Sequence, residues 1–451
     1  MKIKNRNSVA LVCLVLVLMI ILGSCTFSSD SENWPQFRGP DANMVVAGAY
    51  LPIEWSEELN VAWTYDVEGD GWASPVVWGN RVFVASTVAV KINKPGEGDE
   101  ASEQENQDLY LQDVYRWELS CVDIDSGKEL WKQVAHEGSP RIKKHARTNY
   151  ASETPVTDGK RIFVYFGMTG LYCYDMDGAL LWEKDLGAFE TQRGWGTGSS
   201  PLLYKDKLYV IVDNEQQSFL LALDAPTGDE IWKVERDEKT NYGTPFIWKN
   251  SVRTELVTGG QKARAYDPAS GELIWEVQMD GHYNIPSPTA DRNLLFMGNA
   301  GYRDVTGTFF AIKAGSEGDI TPDSGSLSSD GVAWFNPDAT FLANPSPLLY
   351  EGLIYFVSSR GGEISCLEAE TGEIIYKEKI EKVAACWASP WLNQDKIFFM
   401  DEKGVTRAFK TGREFELLHE NSLDDRFWAS VAVAGDAYLF KGDKKLYCIK
   451  K

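Results

Sequence analysis

From about residue 60 to its end, the chain alternates short apolar runs with polar, turn-forming clusters. The clearest unit spans residues 219–234. Phe219 to Leu223 reads as a buried strand, and Asp224-Ala225-Pro226-Thr227-Gly228 reads as a tight turn in which Asp224 binds nearby backbone N–H groups and Gly228 supplies a positive φ. Glu230 to Val234 then reads as the return strand, with Trp232 as its one large side chain to bury. Related units end in Trp131, Trp182, Trp275 and Tyr376. A second element precedes each unit: a Ser/Thr-Pro step that opens an apolar strand, followed by a turn and another strand. It occurs at Ser74-Pro75, Thr154-Pro155, Ser200-Pro201, Thr244-Pro245, Ser287-Pro288, Ser346-Pro347 and Ser389-Pro390, and without the proline at Ser430-Val431.

Each unit therefore holds four short strands, the content of one propeller blade, and eight units predict an all-β, eight-bladed β-propeller. The prolines recur every 43–46 residues except where a polar stretch intervenes. Those exceptions are an acidic insertion near Lys91 to Asp113 and a Gly/Ser-containing stretch from Ala314 to Gly331, both read as solvated loops. The acidic stretch lacks the carboxylate spacing of a known calcium loop. The eighth unit ends one strand short, and residues 60–67, carrying Trp63, form a strand with no partner before it. Pairing the N-terminal and C-terminal strands in one blade closes the ring and removes the open edges.

The N-terminus follows a different pattern. Lys2, Lys4 and Arg6 precede an apolar stretch from Ser8 to Leu22, and Leu22-Gly23-Ser24-Cys25 resembles a bacterial lipobox. Three regions are expected: a lipoprotein signal peptide at 1–24, a lipid-anchored tether and surface-packing segment at 25–59, and the propeller at 60–451. Cys25 would carry the lipid, which holds a protein on a membrane without spanning it. The expected location is the cell envelope, at an outer membrane and facing the periplasm.

Composition adds exclusions. A net charge of −21, with no stripe of Lys and Arg interleaved with aromatics, argues against nucleic acid as a partner. Cys121, Cys173, Cys366 and Cys448 share one repeat column with Ala222, Ala265, Ala311 and Ala408, which marks a small buried position. Equivalent positions in different blades lie too far apart for a disulfide, so these cysteines are read as thiols. Cys386 lies outside the column and receives no role. His136, His145, His282 and His419 show no metal-ligand spacing, and no metal site is expected.

The pattern Ala-x-Asp-x-x-Thr-Gly-x-x-x-Trp, complete at Ala222 to Trp232, resembles the tryptophan-docking repeat of the quinoprotein (PQQ) β-propeller superfamily. Residues 34–40 (Trp-Pro-Gln-Phe-Arg-Gly-Pro) and 311–321 resemble PQQ-like repeat lipoproteins. The resemblance implies that Trp63, Trp131, Trp182, Trp232 and Trp275 dock between neighbouring blades. Two functions compete. One is a lipid-anchored, non-catalytic binding or assembly scaffold, similar to the propeller lipoprotein that assists outer-membrane barrel assembly, with no cofactor and with an envelope protein or peptide as partner, acting as a monomer or within a complex. The other is a PQQ-dependent dehydrogenase of alcohols or sugars, with calcium beside the quinone. The sequence has no adjacent cysteine pair, and no catalytic Asp or calcium-ligand set falls on matching positions. The segments before the inner strands gather at one channel mouth and supply a candidate binding surface: Arg147, Asn149, Tyr150, Arg193, Trp195, Asn241, Tyr242, His282, Asn284, Trp387, Arg426 and Trp428.

Overall fold

The computed structural model describes residues 33–46, 51–92, 112–279, 284–301, 307–337 and 339–451. The predicted signal peptide, Cys25, His282 and most of the acidic insertion lie outside the described residues. Eight antiparallel sheets form an eight-bladed propeller. Blade 1, for example, runs Val76–Trp78, Arg81–Lys91, Val114–Asp123 and Glu129–Gly138, from the channel outward. The expected closure is present: Val61–Asp66 pairs antiparallel with Lys445–Ile449 as the outermost strand of blade 8, with Ala437–Lys441 and then Ala432–Ala434 following toward the channel.

The repeat column of Cys and Ala is buried in all eight blades, and each member sits opposite the docking position of its own blade. The pairs are Cys121 with Trp131, Cys173 with Trp182, Ala222 with Trp232, Ala265 with Trp275, Ala311 with Trp334, Cys366 with Tyr376, Ala408 with His419 and Cys448 with Trp63. A register shift, a β-bulge, falls beside each pair. The five described cysteines are free and buried, and burial pushes each thiol up to about 12.

Two sets of contacts fasten one blade to the next. On the outside, the indole N–H of Trp63, Trp131, Trp182, Trp232 and Trp334 donates to a turn carbonyl of the following blade (Ile124, Met176, Ala225, Pro268 and Ala369) at 2.8–3.4 Å. The ring lies flat on that turn's glycine. At Gly228 (φ +75°), a Cβ would stand 2.8 Å from the Trp182 ring, so glycine meets both the turn's conformation and the indole's need for space. On the inside, the hydroxyl before each Pro accepts the backbone N–H of the matching residue one blade back. The chain of links runs Ser74, Thr154, Ser200, Thr244, Ser287, Ser346, Ser389 and Ser430, at 2.9–3.2 Å over seven seams. Each such bond contributes about 1 kcal/mol net, and leaving the buried N–H unpaired costs more.

Trp275 departs from expectation. It is fully buried, and its indole donates to Glu255 Oε2 of its own blade at 2.8 Å rather than to a turn of blade 5. The physical reason is the 314–331 stretch, read from sequence as a solvated loop. Its Gly318–Asp319 pairs parallel with Trp275–Glu276 and adds a fifth strand to blade 4, displacing the turn on which Trp275 would have docked. Trp334, within Val332–Asn336, resumes the docking series in blade 5.

A second correction concerns residues 33–46, expected on the surface. They fill the central channel. Asn33 Oδ1 accepts the N–H of Gly79 in a turn on the docking-turn face, and Trp34 exchanges backbone bonds with Val77 of blade 1. The segment then rises toward the mouth and returns as Val45–Val46, parallel to Trp391–Asn393 of blade 7. Arg38 is its pivot: the guanidinium is 1% exposed and donates to the carbonyls of Ser287, Pro288 and Pro347 at 3.3, 2.7 and 2.7 Å. Burial lowers its pKa to about 9, so it remains charged at neutral pH. Asn43 ties the segment to blades 5 and 6 through Thr289 and Leu349. Beyond it, Trp55 packs on Phe398, Tyr438 and Phe440 at the seam of blades 7 and 8.

Three expectations follow. Deleting residues 60–67 exposes the edge of blade 8, and differential scanning calorimetry should show loss of the cooperative transition; a melt at the parental temperature would exclude this closure. Gly228→Ala, at a positive φ and under an indole, should cost about 1–3 kcal/mol in denaturant unfolding. Arg38→Met leaves three buried carbonyls without a donor and should cost at least about 3 kcal/mol by the same measurement.

Candidate functional site

All connections that lead into the innermost strands emerge on one face, the mouth, because each outermost strand runs toward it and the next blade starts there. The predicted residues divide into three groups on this face. Trp387 and Trp428 stack at 4.5 Å and 8°, and Trp72, absent from the predicted set, continues the stack on Trp428 at 4.1 Å and 5°. The three occupy the same position in blades 7, 8 and 1, so closure of the ring is what brings Trp72 beside Trp428. Their common Trp-Ala-Ser tripeptide was the available signal. Arg360 lies over the outer face of Trp387, 5.8 Å from the ring centre, and the Trp387 indole donates to Glu402. Beside the stack, Lys441 is buried and donates to the carbonyl of Gly71, and burial lowers its pKa to about 8. Arg426 is exposed and paired with Asp443 at 2.5 Å.

The second group lies between blades 1 and 3. Trp195 stacks on His145 at 4.1 Å and 21°, while Arg147 and Arg193 are exposed. Arg193 has a positive φ of 52°, next to Gly194, whose carbonyl accepts the N–H of His145. Tyr150 packs on Tyr115 and Trp117. Asn149 is buried, and its Oδ1 accepts the N–H of Ala151 and the hydroxyl of Ser152.

The third group is structural. Asn241 is buried in an ionic knot at the seam of blades 3 and 4, donating to Asp213 and to the carbonyl of Gly259. There Arg236 forms a two-pronged pair with Asp213, both side chains fully buried, and also donates to Thr258 and Tyr266. Burial works against the Arg236 charge, but the Asp213 carboxylate outweighs it and holds the pKa above its ordinary value. The Asn284 backbone carbonyl accepts the N–H groups of Tyr242 and Gly243, and its buried side chain accepts from Asn299 Nδ2 at 3.3 Å. These asparagines are therefore unavailable to a partner, while Tyr242 is only half-buried. The mouth is thus not one convergent surface but an aromatic stack on one side and a mixed cluster on the other.

Glu153 was missed by sequence reasoning. It is 2% exposed, accepts the Thr197 hydroxyl and the Ser152 N–H, and burial raises its pKa to about 7 against the opposing pull of those bonds. Its position two residues before Pro155 is occupied in the other blades by Ala73, Ser199, Gly243, Pro286, Pro345, Ala388 and Ala429. A carboxylate in a column of small residues and proline was legible as an anomaly. Among the described residues, no three His, Cys, Asp or Glu side chains come together as a metal-ligand set.

The family model described as outer membrane protein assembly factor BamB matches residues 116–276 and 216–318. No curated protein sequence matches the chain. Among solved structures, BamB from Moraxella catarrhalis is similar with a TM-score of 0.57 at 12% identity, covering 86% of this chain and 96% of that one. Quinohemoprotein alcohol dehydrogenase from Comamonas testosteroni gives 0.58 at 12% identity, covering 94% and 81%. A europium-containing methanol dehydrogenase gives 0.56 at 11% identity, covering 92% and 89%. At these identities the structural likenesses speak for the fold alone. Together with the matched repeats, the eight closed blades show an eight-bladed β-propeller that is similar to those of PQQ-like repeat proteins.

Proposed function

We propose that the chain is a lipid-anchored scaffold of the cell envelope, which binds an envelope protein or peptide at the mouth and performs no chemistry of its own. The observation that carries this reading is the filled channel. A flat quinone needs open space among the inner strands, whereas residues 34–46 occupy the axis and Arg38 is held there by carbonyls of blades 5 and 6. The channel residues therefore do not fit the quinone and calcium of the competing dehydrogenase reading. The BamB match over residues 116–318 supports the scaffold class.

The position of Asn33 gives the scaffold a direction. It lies on the docking-turn face, eight residues after Cys25, a span of at most about 28 Å when extended. A lipid on Cys25 would hold that face toward the membrane and present the mouth, with its tryptophan stack, to the periplasm. No helix among the described residues is long and apolar enough to cross a membrane.

Two expectations test this. Cys25→Ala should leave a folded protein that takes up no radiolabelled fatty acid and is no longer extracted with membranes. Trp387→Ala, Arg193→Ala and Arg426→Ala should weaken crosslinked capture of an envelope partner identified by mass spectrometry, more than tenfold for the tryptophan, with melting temperature little changed for the two exposed arginines. Saturable binding of PQQ with calcium, accompanied by dye-linked alcohol oxidation, would overturn the scaffold reading in favour of the dehydrogenase.

A further inference from the structure

Off the channel axis, a separate cavity opens on the mouth face where the connections into blades 2 and 3 meet. It has a volume of about 30 Å³ and is lined by Trp117, Tyr150, Phe166 and Phe189 together with Asn149 and Glu153. Lys143 and Lys144 stand at its rim. This is room for about two water molecules or for the tip of a larger molecule.

The polar groups inside are incompletely satisfied in a complementary way. Asn149 is 8% exposed, and while its Oδ1 is used twice, its Nδ2 has no partner. The Trp117 indole N–H is likewise buried and unpartnered. Lining the same cavity, the Glu153 carboxyl group accepts the Thr197 hydroxyl, the Ser152 N–H at 3.2 Å and its own backbone N–H, short of the four bonds that two oxygens can take. Orphaned donors and an underused acceptor in one cavity each carry the cost of desolvation without its return. The rest of the fold does not require this arrangement, since small residues or proline fill the Glu153 position in every other blade.

We propose that this cavity is a binding site for a neutral hydroxylated ligand, the hydroxymethyl or vicinal-diol end of a sugar or polyol. A hydroxyl donates to a carboxylate oxygen and accepts from an amide through one and the same atom, which suits so small a cavity, and it carries no charge to set against either Glu153 or the rim lysines. The aromatic wall supplies the apolar face on which the C–H side of such a ligand packs, with half-buried Phe189 placed to cover the part that remains outside. An amine would meet Lys143 and Lys144 on the way in, and a carboxylate ligand would be placed against Glu153. Gly167 also belongs to the design: a Cβ there would run into the Thr197 hydroxyl that orients the Glu153 carboxyl group.

The test is saturation-transfer NMR on the full chain in detergent, with D-glucose, glycerol, acetate and trimethylammonium as probes. The expected result is saturable millimolar binding of glucose or glycerol, with transfer strongest to C–H protons, and none of the two ions. Glu153→Gln replaces one acceptor oxygen by a donor, and Asn149→Asp keeps the bonds of Oδ1 while removing the free donor; each should weaken binding at least tenfold. Phe189→Ala leaves the polar groups intact and should weaken binding in a protein that still melts cooperatively, at a temperature lowered by the lost packing on Phe219, which keeps the test decisive if either polar variant fails to fold. Binding of glucose or glycerol that is indifferent to all three substitutions, preference for either ion, or a high-resolution structure soaked in glucose that shows only ordered water between Asn149 and Glu153 would each overturn the assignment.

Discussion

Ladder hydrogen bonds satisfy the backbone within a blade, but a ring of eight sheets also has to be held across eight seams where those ladders stop. The structure meets this constraint with repeated side-chain devices at two radii. At the outer radius an indole lies on the next blade's glycine and donates to its turn; at the inner radius a Ser or Thr hydroxyl accepts an N–H from the blade before. Because both devices reach across a seam, neither functions until two adjacent blades are formed. The outermost strand of blade 8, supplied by Val61–Asp66, gives the last seam its outer indole, Trp63, which donates to Ile124 of blade 1.

The seam where the chain's two ends meet is reinforced differently. Trp72 of blade 1 stacks on Trp428 of blade 8, and the buried Lys441 ammonium donates to the carbonyl of Gly71. The aromatic stack at the mouth is thus partly a closure device, and the same flat surface, with Arg360 over its end, is what the scaffold reading offers to a partner. Stability and recognition share residues here because the mouth is the one place where connections from all blades converge.

The channel segment has a different energetic character. Arg38, Ala42 and Met44 all have positive φ, an unfavourable conformation for residues with a Cβ, within a stretch of seven. The strain is held by burial of Met44 and by the three carbonyls around Arg38, a charge that pairs with no carboxylate among the described residues. Carbonyls of the Ser-Pro steps are available for this purpose because each leads into the innermost strand of its blade, an edge with no ladder partner on the channel side.

By itself the sequence determined the blade. Its apolar spacing, the Asp-to-Gly turns, the Ser/Thr-Pro steps, the small Cys/Ala column and the orphan strand around Trp63 are local or periodic signals, and each was legible because a repeat imposes the same physical demand eight times. What the tertiary structure alone decided are the places where one blade is not like another. Trp275 lost its docking turn because Gly318–Asp319 joined blade 4. The Trp-Pro-Gln-Phe-Arg-Gly-Pro segment became a channel filling rather than a surface strap, since nothing in its composition states that an axis wide enough to receive it would exist. Asn241 and Asn284 turned inward into the seams, while Trp72 joined Trp428 across a closure that spans more than three hundred residues. Glu153 lies between these cases: its oddity in the repeat column could be read from sequence, but whether its carboxyl group would find a cation, water or an unfilled cavity depended on the side chains that the fold brought around it.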